Sequence, residues 1–154
     1  MCIEEEIRLL GFDTRSAQNA ARDGKIEEWV HRYLTAGRWA NPAFSRGLKL
    51  EKRWWNGPVE VRLADLSRCV GPEPGMEYPV THEYWEQRTR QLAMTLVDPL
   101  DIPPLIVEYR GGELSVRDGN TRHGAMERLG WPKCWVIFWY TAESDYNRHK
   151  ILLF

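Results

Sequence analysis

The sequence predicts an α+β fold, with a helical N-terminal extension over residues 1–57 and a strand-and-helix domain over residues 58–154. Three observations carry this reading. Ile26, Trp29, Val30, Tyr33 and Leu34 recur at helical spacing in the first stretch. In the second, Val59, Val61 and Leu63 alternate with Glu60 and Arg62, and the stretch from Cys134 to Tyr140 is almost wholly apolar. From residue 58 the elements run strand, helix, hairpin, helix, strand, which is a compact α+β unit and not a repeating βα array. At 154 residues the chain is long enough to bury one such core.

Each element has a local cause. Residues 3–10 form a short helix candidate stopped by Gly11. Asp13 or Thr14 caps the next helix, which ends near Asp23-Gly24. The third runs from Ile26 to Gly37, and its polar face (Glu27, Glu28, His31, Arg32) is expected in solvent. In the second region the alternating strand is followed by Leu66 and a loop from Cys69 to Gly75. Thr81 caps a helix from about His82 to Val97, with Trp85, Leu92 and Leu96 inward, and prolines 99, 103 and 104 bar its continuation. Leu105 to Tyr109 and Leu114 to Arg117 are hairpin strands joined through Gly111-Gly112, where glycine supplies positive φ. Thr121 to Leu129 is a helix with Gly130 at its C-cap, and Cys134 to Tyr140 is a central strand. The tail from Thr141 to Phe154 is expected to form a last helix or to pack Ile151, Leu152, Leu153 and Phe154 elsewhere.

Composition narrows the class. Twenty-one Lys and Arg against 22 Asp and Glu give a net charge of -1, which excludes a strong whole-chain footprint for nucleic acid. No apolar run reaches 18 residues, and the N-terminus has no basic-then-apolar leader pattern. Cys2, Cys69 and Cys134 are odd in number and far apart, so no disulfide framework or CxxC metal pair is expected. The expectation is a cytoplasmic protein with reduced thiols and Cys134 in the core. No metal site is expected from His and Cys spacing. The eight tryptophans are expected mainly in packing, with Trp54 and Trp55 open to a base-stacking role. They follow a local basic cluster (Arg38, Arg46, Lys49, Lys52, Arg53) that has only Glu51 against it. Basic residues beside exposed aromatics suit single-stranded nucleic acid; the competing reading is a surface segment covering its neighbour.

One segment carries chemistry: Asp118-Gly119-Asn120-Thr121-Arg122-His123, a strand, a glycine turn and a helix start. The first N–H groups of a helix lack internal partners and sit at the positive end of its dipole. Gly119 permits close backbone approach, Thr121 offers a hydroxyl, Arg122 a planar fork of donors, and His123 a donor or general base. With Asn120 these make a candidate phosphate or nucleotide site. Asp118 caps the helix, orients Arg122, or holds Mg²⁺ beside a nucleotide. The competing reading is a simple capped turn. Glu73, in the Gly/Pro-rich loop, becomes a candidate general base if that loop folds over the turn. His82 and His149 are expected to be structural or exposed.

The stretch PPLIVEYRGGELSVRDGNTRHGAMERLGWPKCWVIFW resembles the ParB/sulfiredoxin superfamily, and the likeness extends over about residues 58–140. Its marks are a proline-led strand, a hairpin, a D/G-rich turn ending in Arg, a helix with an A…LG pattern and an apolar strand. The resemblance implies a ParB-like domain binding a nucleotide at the turn, among relatives that include partition proteins, sulfiredoxins, small-molecule kinases and proposed nucleases. Against the partition box GERRxRA, Gly119, Arg122 and Ala125 match, while Asn120, Thr121 and Gly124 depart from it. Against the sulfiredoxin turn GGCHR, Asn120 stands where the catalytic Cys would be, which excludes sulfinic-acid reduction by that route. The kinase-like form DGHxR is nearest to residues 118–122. The expected function is binding of a nucleotide or other phosphate ligand, with phosphotransfer or phosphodiester cleavage as the activity. The alternative is a non-catalytic DNA-binding or protein-interaction module with a vestigial cradle.

Overall fold

The computed structural model describes residues 11–153. The helix expected over residues 3–10, and Cys2, lie outside them. Three helices come first: α1 (Thr14–Arg22), α2 (Ile26–Ala36) and α3 (Pro42–Leu48). Asp13 caps α1 through a reciprocal pair of bonds with Ser16. The expected stripe of α2 is the face it buries: Trp29, Val30, Tyr33 and Leu34 are all buried. Helix α3 was not expected. It is short, and begins with Asn41 capping the Phe44 N–H and with Pro42 in the first turn.

Strands β1 (Trp54–Arg62), β2 (Ser67–Arg68), β5 (Leu105–Arg110), β6 (Glu113–Asp118) and β7 (Lys133–Tyr140) form one sheet, ordered β1-β7-β5-β6-β2. Both parallel and antiparallel pairs occur: β5 runs parallel to β7 and antiparallel to β6. Strands β3 (Val70–Gly71) and β4 (Tyr78–Pro79) make a separate two-stranded ladder in the loop region. Helices α4 (His82–Ala93), α5 (Asn120–Leu129) and α6 (Glu143–Leu152) complete the chain.

The sheet is covered on both faces. Leu105, Val107 and Tyr109 of β5, with Cys134, Val136, Phe138 and Tyr140 of β7, meet Ala125 and Met126 of α5 and Leu96 beyond α4. Ile106, Ile137 and Trp139 point the other way, into Ala17, Trp29, Val30, Tyr33, Leu34 and Leu48 of the N-terminal helices. Two-sided burial explains why Leu105–Val107 of β5 and Cys134–Tyr140 of β7 read as continuous apolar runs rather than alternating ones. The expected α+β fold with N-terminal helices packed on it is therefore observed.

Several expectations need correction. Strand β1 begins at Trp54 and not near Val59; its pairing with β7 is irregular between Asn56 and Val59, so the ladder continues past Gly57-Pro58. A proline is tolerated there because β1 is an edge strand. Trp54 and Trp55 thus lie in the sheet, opposite Tyr140 and Trp139, and pack against the two cores; they are not an open stacking platform. Helix α4 stops at Ala93, although Leu96 is still buried. His31 is not free in solvent: its Nδ1 lies 2.7 Å from Ser45 Oγ on α3. In the tail α6 forms, but Ile151 and Leu152 are exposed and Leu153 packs on the core, while Phe154 lies outside the described residues. Cys134 is buried as expected, and burial pushes its thiol up to about 12.

Candidate functional site

Gly119 ends β6 and opens α5 with φ +95°, a conformation that L side chains rarely adopt. A Cβ there would stand 2.5 Å from Leu105 Cδ2 and 2.8 Å from Arg122 Nη2, so the turn also lacks room for one. No side chain caps α5, and its first helical bond is donated by the His123 N–H to the Gly119 carbonyl, 2.8 Å away. The N–H groups of Asn120, Thr121 and Arg122 precede that bond and are the open positive end of the helix.

This end looks into a cleft of about 400 Å³. Residues 118–122 form one wall, Arg88, Gln91, Leu92 and Thr95 of α4 and its exit another, and Arg38, Trp39 and Val70 the rest. Arg38 and Arg88 are exposed and unmatched by any carboxylate in the lining except Asp118. The cleft is therefore electropositive at the helix terminus.

Arg122 is placed otherwise than the turn sequence suggested. It is 2% exposed and bonded on several sides. Nη1 donates to Tyr33 Oη at 3.0 Å, and Nη2 to the Pro104 carbonyl at 3.2 Å and to Asp118 Oδ2 at 3.3 Å. Tyr33 Oη in turn donates to Asp118 Oδ2 at 2.7 Å. Burial opposes charge on Arg122, but Tyr33 and Asp118 outweigh it and hold its pKa above the ordinary value. Burial also raises the Tyr33 pKa, which keeps the phenol a donor. Of the roles open to Asp118, the structure shows that of orienting Arg122. Both of these bonds fall on Asp118 Oδ2, and no other carboxylate lines the cleft. Among the described residues no group of three or more His, Cys, Asp or Glu is placed to hold a metal ion.

Asn120 turns inward. Its Oδ1 accepts from the N–H groups of Cys69 and Val70 at 3.0 and 3.3 Å, and its Nδ2 donates to the Val116 carbonyl at 3.0 Å. The side chain ties the Cys69 loop to the turn, leaving its backbone N–H for a ligand. Thr121 lines the cleft, half-buried. His123 does not line it. Its ring is buried on the far side of α5, with Nδ1 3.3 Å from Glu127 Oε1, and burial lowers its pKa. Glu73 is also away from the cleft. Arg68 bonds both of its oxygens, holding the Glu73 carboxyl below its ordinary range, which ill suits a general base.

The basic cluster is dispersed. Arg38 reaches the cleft, and Arg46, Lys49 and Lys52 remain exposed. Arg53 is structural: it donates to the Leu48 and Gly47 carbonyls and to Thr141 Oγ1, with its guanidinium over the Trp139 ring. Sequence reasoning missed Arg88, Gln91 and Thr95, because an exposed polar helix face looks the same whether it meets solvent or a cleft. It also missed Tyr33 and Trp39, which read as a core aromatic and a packing tryptophan.

Gly124 is set by the packing of two helices. A Cβ at this position would stand 2.5 Å from Trp85 Cζ2 and 2.8 Å from Thr89 Cγ2, so α4 and α5 leave no room for a side chain.

No family model and no curated protein matches the chain. Solved structures that are similar over a segment of it include two that follow. Sulfiredoxin from Arabidopsis thaliana aligns with TM-score 0.42 and 20% identity, covering 60% of this chain and 94% of that one. The C-terminally truncated chromosome-partitioning protein ParB from Caulobacter crescentus, complexed with CTP-gamma-S, aligns with TM-score 0.39 and 17% identity over 63% of this chain. The match spans about half (52%) of that ParB chain. These likenesses concern the course of the backbone; the chemistry of the cleft rests on its own residues. Among the described residues no helix is long and apolar enough to cross a membrane.

Proposed function

We propose that this chain binds a phosphate-bearing ligand of nucleotide size in the cleft at the start of α5. One observation carries the reading: an uncapped helix N-terminus opens into a cleft of about 400 Å³ whose free charges, Arg38 and Arg88, are both positive. Backbone N–H groups and a helix dipole favour an anion there, and the two guanidinium groups supply the planar forks that match phosphate oxygens. Arg122 contributes its field and the shape of the turn while its donors are held by protein. Gly119 lets the ligand approach the backbone. Neither Glu73 nor His123 is placed to move a proton in the cleft, so the geometry supports binding and orientation of phosphate ahead of catalysis.

The test is a thermal-shift panel of ATP, ADP, CTP, GTP and inorganic pyrophosphate, each with and without Mg²⁺, on wild type, Arg88→Ala and Arg38→Ala. A ligand at 100 times its Kd adds about 2.7 kcal/mol, a rise on the order of 5–10 °C for a chain this size. The expected result is a rise with at least one phosphate ligand that both variants reduce. No rise with any of them overturns the reading.

A second reading has one observation in its favour: Arg46, Lys49 and Lys52 stay exposed on and beyond α3, as a nucleic-acid contact requires. It predicts a steep loss of single-stranded DNA binding as salt rises, where a mononucleotide in the cleft gives a shallow one.

A further inference from the structure

Beside the phosphate cleft lies a second cavity of about 200 Å³. Arg38, Trp39 and Thr95 belong to the walls of both, so the two adjoin. The lining of the second differs in kind. Phe12, Tyr33, Ala36, Leu96, Ile102 and Pro103 give it aromatic and aliphatic walls. Its one carboxylate, Asp101, is already paired with Arg15. Tyr33 joins the two regions: its ring lines the apolar cavity, and its hydroxyl bridges Asp118 and Arg122 under the phosphate cleft. Trp39 stands at the partition, with the Arg122 guanidinium 5.0 Å and the Arg38 guanidinium 5.3 Å from its ring centre.

Resting on the phosphate reading above, we propose that the ligand is a phosphate ester of a flat apolar or aromatic ring, with the ring seated in this second cavity against Trp39. The size fits, since an apolar cavity of about 150 Å³ elsewhere holds a benzene molecule. The chemistry fits as well. A bare phosphate uses only the cationic compartment and leaves an apolar space beside it. A ring in that space removes apolar surface from water on both partners and stacks on Trp39. Phe12 and residues of α2 and the loop after it build most of this wall, so the N-terminal helices select the body of the ligand while the α5 turn holds its phosphate.

The experiment compares three probes by calorimetry on the full chain: inorganic pyrophosphate, methyl phosphate and phenyl phosphate. The variants are Arg88→Ala, which weakens the phosphate compartment, and Ala36→Phe, which fills the apolar cavity from an exposed helix end. Ala36→Leu stands in if the larger residue disturbs folding, checked by circular dichroism. The expected result is phenyl phosphate binding at least tenfold tighter than methyl phosphate, a gain removed by filling the cavity, with pyrophosphate affinity unchanged by that variant. If pyrophosphate binds and Arg88→Ala weakens it, but phenyl phosphate gains nothing over methyl phosphate or keeps its gain in Ala36→Phe, the ring site is wrong and the phosphate site stands. If no probe binds, the phosphate reading fails and the ring site fails with it.

Discussion

Replacing Arg122 should damage the fold before it damages ligand contact. Its side chain is 3% exposed and that of Asp118 10%, and Tyr33 Oη bonds to both. Arg122→Met keeps most of the volume but leaves Asp118 as a buried carboxylate with one phenolic donor. Removing one member of a buried ion pair costs about 3–5 kcal/mol, because the other charge stays uncompensated. That is a large part of the roughly 5–15 kcal/mol stability of an ordinary domain. Tyr33→Phe, which removes a neutral hydroxyl from the same triad, should cost about 1–3 kcal/mol. Adding Asp118→Asn to Arg122→Met removes the orphaned charge and should recover part of the loss, with a coupling on the order of 0.5–3 kcal/mol. Urea denaturation followed by tryptophan fluorescence gives all these values on one scale, and each kcal/mol should also lower Tm by about 2–4 °C at this chain length. If Arg122→Met loses under about 1 kcal/mol, or if Asp118→Asn deepens the loss instead of relieving it, the triad is not the structural unit described. Loss of phosphate binding without loss of stability would instead make Arg122 a ligand group.

Gly124→Ala sets a methyl against Trp85 and Thr89 and should destabilise by about 1–3 kcal/mol through overpacking, read as a lower urea midpoint at unchanged slope. Gly119→Ala combines a positive φ with a clash against Leu105; it should cost about 1–3 kcal/mol and also weaken phosphate binding, which calorimetry on the folded fraction would show. Burial holds His149, His123 and His31 below their ordinary pKa of 6.5, so the unfolded chain takes up protons at a pH where the folded one does not. Stability should therefore be full above about pH 6.5 and fall as pH drops, by at most about 1.4 kcal/mol per pH unit for each histidine. His149→Phe, which keeps the stacking on Tyr109, should reduce that slope in pH-dependent denaturation, and an unchanged slope would remove His149 from the account.

Where a signal was local, the sequence carried it. The stripe of α2 depends only on 3.6-residue spacing, and the hairpin turn only on two adjacent glycines, so both appear where expected. The continuous apolar character of β7 correctly implied a central strand, though not which helices would cover each face. What escaped was set by distant contacts. Asn120 carries the chemistry of a turn ligand, yet its amide is committed to residues 51 and 50 positions away. Arg122 reads as a phosphate fork, but Tyr33, 89 positions earlier, holds one arm of it. Helix α3 is seven residues with a proline and an internal glycine, too short for periodicity to register.

The same contacts explain how a chain of near-zero net charge keeps a cationic cleft. Arg15 meets Asp98 and Asp101, Arg68 meets Glu73 and Glu127, Arg117 meets Glu77, and Arg128 meets Glu86. Each pair neutralises charge locally and screens it from the α5 terminus. Arg38 and Arg88 are not in ion pairs among the described residues; each lies instead near an aromatic ring, Trp39 and Tyr84. An aromatic face steadies a guanidinium without cancelling its charge. The cleft is thus positive because its exposed cations are left with π partners while its one carboxylate, Asp118, is bonded to Arg122, a distribution that net charge alone cannot reveal.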